Sequence, residues 1–416
     1  MSGSAGLQRQ LGGFDATTVG IGSMIGAGVF VVFAPAAAAA GAWLPLAVAI
    51  AGFVAYCNAS ASAQLARVYP TSGGTYVYGR KRLGPWAGFI AGWSFVTGKT
   101  ASCAAMAFTF GLYAFPGYET AAGIAAVVLL TTVNLLGITR TAMASRIIVS
   151  LVVAILAFLV VVAFSSSPAV APAGTDVTSP LGVMQAAALL FFAFAGYARI
   201  ATMGEEVREP ERNIPRAILA SLAVVLILYM LLALGLLEAL GVETLAATEA
   251  PLLALARDIG DSVGTVAVTA AAALASLGAL LALIAGVGRT SLAMAREGDL
   301  PRPLTRISTR FQVPFIAELT VAAVVILLLL TTDVLTVVGF SSFGVLVYYA
   351  IANMSAFTLD ERPWYWPKAL NVVGFIGCLL LAFTLPPLSV LTMLGVLLAG
   401  LAGRAAVNYS GGRDNP

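Results

Sequence analysis

Long apolar stretches separated by short polar segments dominate this chain of 416 residues. A helix needs about 20 apolar residues to cross the hydrocarbon core of a bilayer, and twelve stretches approach or exceed that length. They lie near residues 16–39, 43–66, 84–114, 121–138, 147–164, 182–203, 214–240, 263–294, 314–331, 334–357, 367–384 and 386–403. The pattern predicts an all-α polytopic membrane protein with 12 transmembrane helices.

Two of the predicted spans, the first and the sixth, are interrupted by glycine. Span 1 contains Gly20, Gly22, Gly26 and Gly28, and span 6 contains Gly196. Because spans 1 and 6 are five apart, the second copy enters the membrane inverted relative to the first. The spacing predicts a five-plus-five inverted repeat with discontinuous helices 1 and 6, the arrangement of a secondary transporter. The halves would be residues 14–165 and 181–358, with 366–404 as an appendage.

The basic residues predict the orientation of these spans. All but three of the 22 Lys and Arg residues fall on the same side of the membrane as the N-terminus. Arg257 alone lies in a loop on the other side, while Lys99 and Arg199 lie within spans. By the positive-inside rule, both termini are cytoplasmic, and the protein is a multi-pass protein of the cytoplasmic membrane.

The amino-acid composition limits the functions that the chain can have. With 60% hydrophobic and 10% charged residues, the chain is too apolar for a soluble domain. It contains no histidine, which excludes imidazole bases, Ser-His triads and His-ligated metals. The three cysteines lie in apolar runs without metal-ligand spacing, and no basic, aromatic-interleaved stretch suggests nucleic acid. We therefore expect no enzyme activity, no cofactor and no metal; the partners are a small molecule and the lipid bilayer.

The two interruptions offer complementary polar groups. An unwound stretch at membrane depth persists only where something replaces its lost hydrogen bonds. The N–H groups near Gly26 and Gly28 suit a carboxylate. The carbonyls near Gly196 suit an ammonium group. The alternative is ordinary packing, since Gly22-x-x-x-Gly26 alone satisfies a small-residue helix interface, and the aromatic residues around Gly196 could be core or lipid contacts.

Four motifs resemble the amino acid-polyamine-organocation superfamily. They are Gly22 to Phe30 (GSMIGAGVF), Phe192 to Tyr197 (FAFAGY), Gly204 to Ile218 (GEEVREPERNIPRAI) and Ala295 to Pro301 (AREGDLP). Tyr69 to Tyr76 (YPTSGGTY) adds a fifth. The resemblance spans most of the chain and implies a LeuT-like, five-plus-five fold that carries amino acids.

The resemblance also implies substrate-binding residues by motif position. The carboxylate-binding stretch would be Ser23, Met24, Ile25, Gly26, Ala27 and Gly28. The amine-binding stretch would be Phe192, Ala193, Phe194 and Ala195. Phe194 takes the place of the aromatic residue that closes the pocket from outside in relatives. Tyr197 is a further candidate for shaping the pocket.

Energy coupling departs from the family pattern. Many proton-coupled relatives carry a lysine in span 5, which is missing here, and Ser150 cannot replace it. Lys99, central in span 3, is an intramembrane charge and therefore a functional candidate. Our hypothesis is that Lys99 exchanges protons in place of the missing lysine. The alternative is that it snorkels or pins the bundle by bonding broken-helix carbonyls.

Two other residues are candidates for coupling or gating. Arg199 cannot lose its proton, so it is better suited to gating or to a carboxylate partner, with Asp15 and Glu205 as candidates. Sodium-coupled relatives use hydroxyl groups of spans 1 and 8, for which Ser276 is available, although a lone helical serine more often bonds its own backbone.

The leading interpretation is an alternating-access carrier of amino acids. The absence of an evident acidic residue in the pocket favours neutral substrates, with protons as the candidate coupling ion. An exchanger or exporter and a carrier of cationic amino acids or polyamines stay open as alternatives. A channel is disfavoured because no charged or carbonyl-rich filter sequence is visible. The oligomeric state is open between monomer and homodimer.

Overall fold

The protein is all-helical in its computed structural model, which describes residues 11–70, 73–137, 142–165, 179–201, 207–258, 262–363 and 365–411. Within those ranges there is no β-strand, only an isolated parallel bridge between Leu11 and Val207. The helices in the first 165 residues are α1 (Gly13–Met24), α2 (Gly28–Val31), α3 (Phe33–Ala40), α4 (Leu44–Val68), α5 (Gly74–Leu83), α6 (Pro85–Ala114), α7 (Glu119–Leu135) and α8 (Ala142–Ser165).

The rest of the described chain continues as helices. These are α9 (Pro180–Phe194), α10 (Ala198–Ala201), α11 (Pro210–Ala247), α12 (Pro251–Asp258), α13 (Ser262–Arg296), α14 (Phe315–Thr331), α15 (Val334–Phe357), α16 (Lys368–Thr384) and α17 (Pro387–Gly411). Short 3₁₀ helices occupy Gly41–Trp43 and Arg302–Thr305. The helix α11 is kinked at Gly241, whose φ of 72° is outside the helical region.

Several helices are able to cross a membrane. In the described part of the chain, 7 segments are long and apolar enough: Gly13–Val31, Phe33–Val68, Ser145–Ser165, Pro210–Ala247, Val263–Arg296, Val334–Phe357 and Pro387–Ala406. Four shorter apolar helices correspond to α7, α9, α14 and α16. The 30-residue α6 is not among the seven, because Lys99 and its Gly, Ser and Thr residues lower its hydropathy. The protein is therefore an integral membrane protein.

The interrupted helices lie inside the bundle rather than at its edge. Helix α6 packs against α13 and α15, while α4 packs against α9 and α11. The first helix α1 contacts α8, α10 and α11. Side chains of α7, α8, α14 and α17 that point away from these contacts are apolar and exposed, as expected of a lipid-facing surface.

A compact ionic group, here called the Asp299 cluster, joins α5, α17 and the segment that follows α13. Asp299 follows α13, accepts hydrogen bonds from Arg80 of α5 (2.8 Å) and the Tyr76 hydroxyl (2.8 Å), and forms an ion pair with Arg404 of α17 (2.9 Å). Its side chain is only 3% exposed. Burial, and then the hydrogen bond to Asp299, raise the pKa of Tyr76, so its hydroxyl keeps its proton and continues to donate.

Candidate functional site

The first interruption separates α1 from α2. The Ile25 N–H still donates to the Ile21 carbonyl at 2.8 Å, but the ψ of Ile25 is 54°, so the helix ends there. The next hydrogen bond joins the Phe30 N–H to the Ala27 carbonyl (3.0 Å). In the described part of the chain, no acceptor receives the N–H groups of Gly26, Ala27, Gly28 and Val29. A row of four unused backbone donors therefore lies in the protein interior.

The second interruption separates α9 from α10. The Ala195 N–H reaches the Phe192 carbonyl at 3.4 Å, a long bond that closes a turn rather than continuing the helix. The chain then turns through Gly196 and Tyr197. The bonds from Arg199 to Gly196 (3.1 Å) and from Ile200 to Tyr197 (3.0 Å) start the short α10. Beyond the Phe192 carbonyl, the carbonyls of Ala193 to Ala195 receive no backbone N–H among the described residues and need other donors.

The two interruptions touch each other. A Cβ added to Gly196 would overlap the carbonyl of Ser23, and a Cβ added to Gly28 would lie 2.6 Å from the Cα of Ala193. Only glycine permits this approach of backbone to backbone. The structure therefore brings together the two stretches, Ser23 to Gly28 and Phe192 to Ala195, that the sequence assigns to opposite ends of one ligand.

Three tyrosines donate to carbonyls of the interrupted helices. Tyr229 of α11 lies within reach of both breaks, 2.9 Å from the Met24 carbonyl and 3.4 Å from the Ala193 carbonyl. Tyr349 of α15 donates to the Ala195 carbonyl at 3.4 Å. Tyr113 of α6 donates to the Phe30 carbonyl at 2.8 Å. The structure thus supplies donors where broken helices leave acceptors unpaired.

Lys99 reaches the second interruption directly. Its Nζ donates to the Ala195 carbonyl at 3.3 Å, and the residue is 8% exposed. No ion pair joins Lys99 to any carboxylate that the structure describes. The side chain bonds a broken-helix carbonyl rather than extending to an interface, and proton exchange by Lys99 stays a prediction.

The aromatic candidates of α9 and its turn pack on the tyrosines. The rings of Phe194 and Tyr229 are 5.1 Å apart in an edge-on contact, and Tyr197 stacks on Tyr349 at 5.0 Å. Both Phe194 and Tyr197 are fully buried, whereas Phe192 is 8% exposed. On the other side of the first interruption, a Cβ on Gly26 would lie 3.2 Å from the Met106 side chain and 3.2 Å from that of Ala279.

The remaining candidates lie further along the interrupted helices. A Cβ on Gly286 of α13 would lie 3.3 Å from Nη1 of Arg199, so this guanidinium faces α13. Asp15, an expected partner of Arg199, instead forms an ion pair with Arg146 of α8. The expectation for Asp15 is therefore wrong, because the N-terminal end of α1 packs on α8. Glu205, the other expected partner, lies outside the described residues.

Two hydroxyl groups considered for coupling have different surroundings. Ser276 of α13 is fully buried, and its hydroxyl oxygen has no partner among the residues that the structure describes. It lies three residues before Ala279, on the same helix face. Ser150 of α8 is exposed, and the α8 residue that faces Gly22 is Val149. Within the described ranges, no group of three or more Asp, Glu, Cys or His residues could hold a metal ion.

The sequence did not single out five residues that the structure places at the interruptions: Tyr113, Tyr229, Tyr349, Met106 and Ala279. Each comes from a helix far away in the chain, and each is an ordinary member of an apolar stretch. The tyrosines carried the only usable signal, since a buried hydroxyl group in a membrane span requires an acceptor.

Nearly the whole chain matches one protein family. The family described as "Amino acid permease" matches residues 11–410, so the chain belongs to the amino acid permease family. The motif resemblance is thereby confirmed, and the protein is a membrane transporter, not an enzyme.

Relatives extend over nearly the same length. An uncharacterized transporter of Mycobacterium tuberculosis is 53% identical over 399 residues, covering 95% of this chain and 90% of its own. A branched-chain amino acid permease of Bacillus subtilis is 26% identical, covering 96% and 93%. A vacuolar cationic amino acid transporter of Arabidopsis thaliana is 27% identical, covering 86% of this chain and 64% of its own.

Proposed function

We propose that this protein is a secondary active transporter that moves neutral amino acids across the cytoplasmic membrane by alternating access. The fold in this proposal has 12 spans in two inverted repeats, residues 14–165 and 181–358, with residues 366–404 as an appendage. Both termini are cytoplasmic. The proposal joins the family of the chain to the geometry of the two interruptions.

One observation carries the assignment of the site: two broken helices meet with opposite polarity. The four unused N–H groups of Gly26 to Val29 lie on one side, and the carbonyls that end α9 lie on the other. Gly196 and Gly28 hold the two stretches in backbone contact. An amino acid has a carboxylate at one end and an ammonium group at the other, which suits donors and acceptors arranged in this way.

The surroundings favour a neutral side chain. Met106, Ala279 and Ala193 are apolar side chains beside Gly26 and Gly28, and Lys99 adds a positive charge at the second interruption. No carboxylate in the described part of the chain pairs with Lys99, so nothing shown would balance a second cation. The relative named as a branched-chain amino acid permease agrees with this choice; those named as cationic amino acid transporters make cationic amino acids or polyamines the second candidate.

For coupling, we propose protons, with Lys99 as the group that exchanges them. Arg199 is proposed as a gating residue through its contact with α13, and Ser276 as a hydroxyl group available near the first interruption. Transport by Lys99→Gln with a pH dependence equal to that of the wild type would make the proton role wrong.

Transport by the purified protein in liposomes tests this proposal. We expect saturable uptake of labelled leucine or a similar neutral amino acid, faster when an inwardly directed proton gradient is imposed. Protein-free liposomes and liposomes with Gly196→Val are the controls. Saturable uptake of lysine or a polyamine without uptake of neutral amino acids would establish the second candidate instead. Flux that does not saturate would indicate a channel.

A further inference from the structure

We propose that the amine of Lys99 takes the place of the substrate's amine on the Ala195 carbonyl whenever substrate is absent, so that the carrier catalyses net transport rather than obligatory exchange. This inference rests on the proposed function. It adds a transport mode, which neither the family nor the relatives' names supply, and it assigns Lys99 a role separate from proton exchange.

The geometry that carries the inference is a shared acceptor. Lys99 Nζ lies 3.3 Å from the Ala195 oxygen, within the stretch proposed to bind the substrate's amine. Two other carbonyls of this stretch already have donors nearby, since the Phe192 oxygen accepts the Ala195 N–H and the Ala193 oxygen lies 3.4 Å from the Tyr229 hydroxyl. A primary amine on a tether and the primary amine of a substrate would compete for the Ala195 oxygen.

The contact has no other evident structural purpose. Lys99 lies on α6 and is 8% exposed, yet no ion pair connects it to a carboxylate that the structure describes. A buried cation without a counterion is costly, and its contact with a carbonyl dipole only partly offsets that cost. Such a group is expected to be retained for function rather than for stability.

The physical consequence concerns the return step of the transport cycle. A carbonyl left unpaired at membrane depth disfavours any closed conformation in which water cannot reach it. Tyr349 donates to the Ala195 oxygen at 3.4 Å, so what this carbonyl lacks without substrate or Lys99 is a charged donor. If only the substrate's amine could supply that donor, closure would be favoured in the loaded carrier, which would then mainly exchange one substrate for another. With Lys99 as a tethered charged donor, the carrier closes without substrate and returns.

The experiment compares two fluxes in the same preparation of reconstituted protein. Net flux is the initial uptake of labelled leucine into liposomes without internal substrate, in the presence of a proton ionophore. Exchange flux is the uptake into liposomes preloaded with unlabelled leucine. The variants are Lys99→Met, which keeps the length but removes the donor, and Lys99→Arg, which keeps a donor and the charge. Thr100→Val is the matched control, because the Thr100 hydroxyl bonds only Val96 of its own helix at 2.7 Å.

We expect wild type, Lys99→Arg and Thr100→Val to show net flux. Lys99→Met should lower the ratio of net to exchange flux by about tenfold to 100-fold, the factor for one lost hydrogen bond to a charged donor. Since the ratio is taken within one preparation, a smaller amount of folded protein cannot produce this result. Equal losses of net and exchange flux in Lys99→Met, an unchanged ratio, or a wild type that only exchanges would each overturn the inference. A wild type that transports no neutral amino acid in either mode would overturn the proposed function itself.

Discussion

Gly196 shows how far a single residue determines this site. The backbone of Ser23 and Met24 occupies the space where a side chain at position 196 would begin. Backbone atoms cannot move aside as a flexible side chain can, so a Cβ here must displace α1 or the turn after α9. The approach of the two interruptions therefore depends on this residue having no side chain.

Gly196→Ala should destabilise the protein by about 1–3 kcal/mol through overpacking and abolish most leucine uptake. Thermal unfolding in detergent and uptake in liposomes measure the two effects. Gly395→Ala is the control, because nothing lies within 4 Å of a Cβ at that position. A Gly196→Ala variant with wild-type stability and uptake would show that the two stretches do not make the contact described.

Tyr229 is the residue whose hydroxyl group lies within hydrogen-bonding distance of carbonyls from both interruptions. Tyr229→Phe keeps the ring that packs on Phe194 but leaves the Met24 and Ala193 oxygens with one donor fewer. We expect a loss of about 1–3 kcal/mol in unfolding free energy, the cost of a buried unpaired polar group. Tyr56→Phe, at a 38% exposed position on α4, should change the unfolding temperature little. Equal effects of the two substitutions would argue that the Tyr229 hydroxyl does not bond these carbonyls.

At the scale of elements, the Asp299 cluster fastens helices that are distant in sequence. Arg404 of α17 also lies over the rings of Trp86 and Phe89, 4.7 and 4.8 Å from their centroids. The last helix is otherwise largely exposed to lipid, with few buried side chains. Its attachment at this end therefore combines the Asp299 ion pair with these ring contacts and a hydrogen bond from Arg404 to the Pro85 carbonyl (2.6 Å).

Asp299→Asn should loosen the end of α17 against α5 and α6. Arg404 would lose its carboxylate and Arg80 would keep only its exposed contact with Glu297, and breaking a buried pair in this way costs about 3–5 kcal/mol. Hydrogen exchange of α5 and of the last turns of α17 should accelerate, together with a lower unfolding temperature. Glu297→Gln removes the exposed contact to Arg80 and should cost no more than about 1 kcal/mol. Unchanged exchange in Asp299→Asn would show that the cluster does not hold α17.

At the scale of the whole molecule, charge asymmetry predicts which loops face the cytoplasm. The three cysteines Cys57, Cys103 and Cys378 are buried, so we expect them to react little with a thiol-specific label. Tyr118, in the turn between α6 and α7, is 75% exposed, and Gln312 lies in the connection before α14.

A cysteine at each position tests the orientation in intact cells. Tyr118→Cys should react with a membrane-impermeant maleimide added outside, since its turn is predicted to be external. Gln312→Cys should react only after the cells are permeabilised. The reverse pattern would contradict the positive-inside assignment, and labelling of both from outside would contradict the predicted number of intervening spans.

The interruptions and their pairing could be predicted from sequence because glycine in an apolar run is a local signal. Lys99 was recognisable for a similar reason, as a charge where lipid tolerates none. Its acceptor, the Ala195 carbonyl, was not, since that contact joins residues far apart in the chain. Tyr113, Tyr229 and Tyr349 were missed for the same cause, and Asp15 was given the wrong partner because nothing local shows that α1 packs on α8. Helix α5 was not predicted, because it is too short and too polar to be recognised as a membrane span.

The bridge between Leu11 and Val207 has a consequence for cooperativity. The Arg208 N–H bonds the Leu11 carbonyl at 2.9 Å, and Val207 is fully buried. Leu11 lies two residues before α1, and Val207 lies three residues before α11, so this bond fastens the start of α1 to the chain that enters α11. Displacing one while the other stays would break the bond and expose Val207. We therefore expect the starts of α1 and α11 to move together during transport, with no conformation in which only one of them has moved.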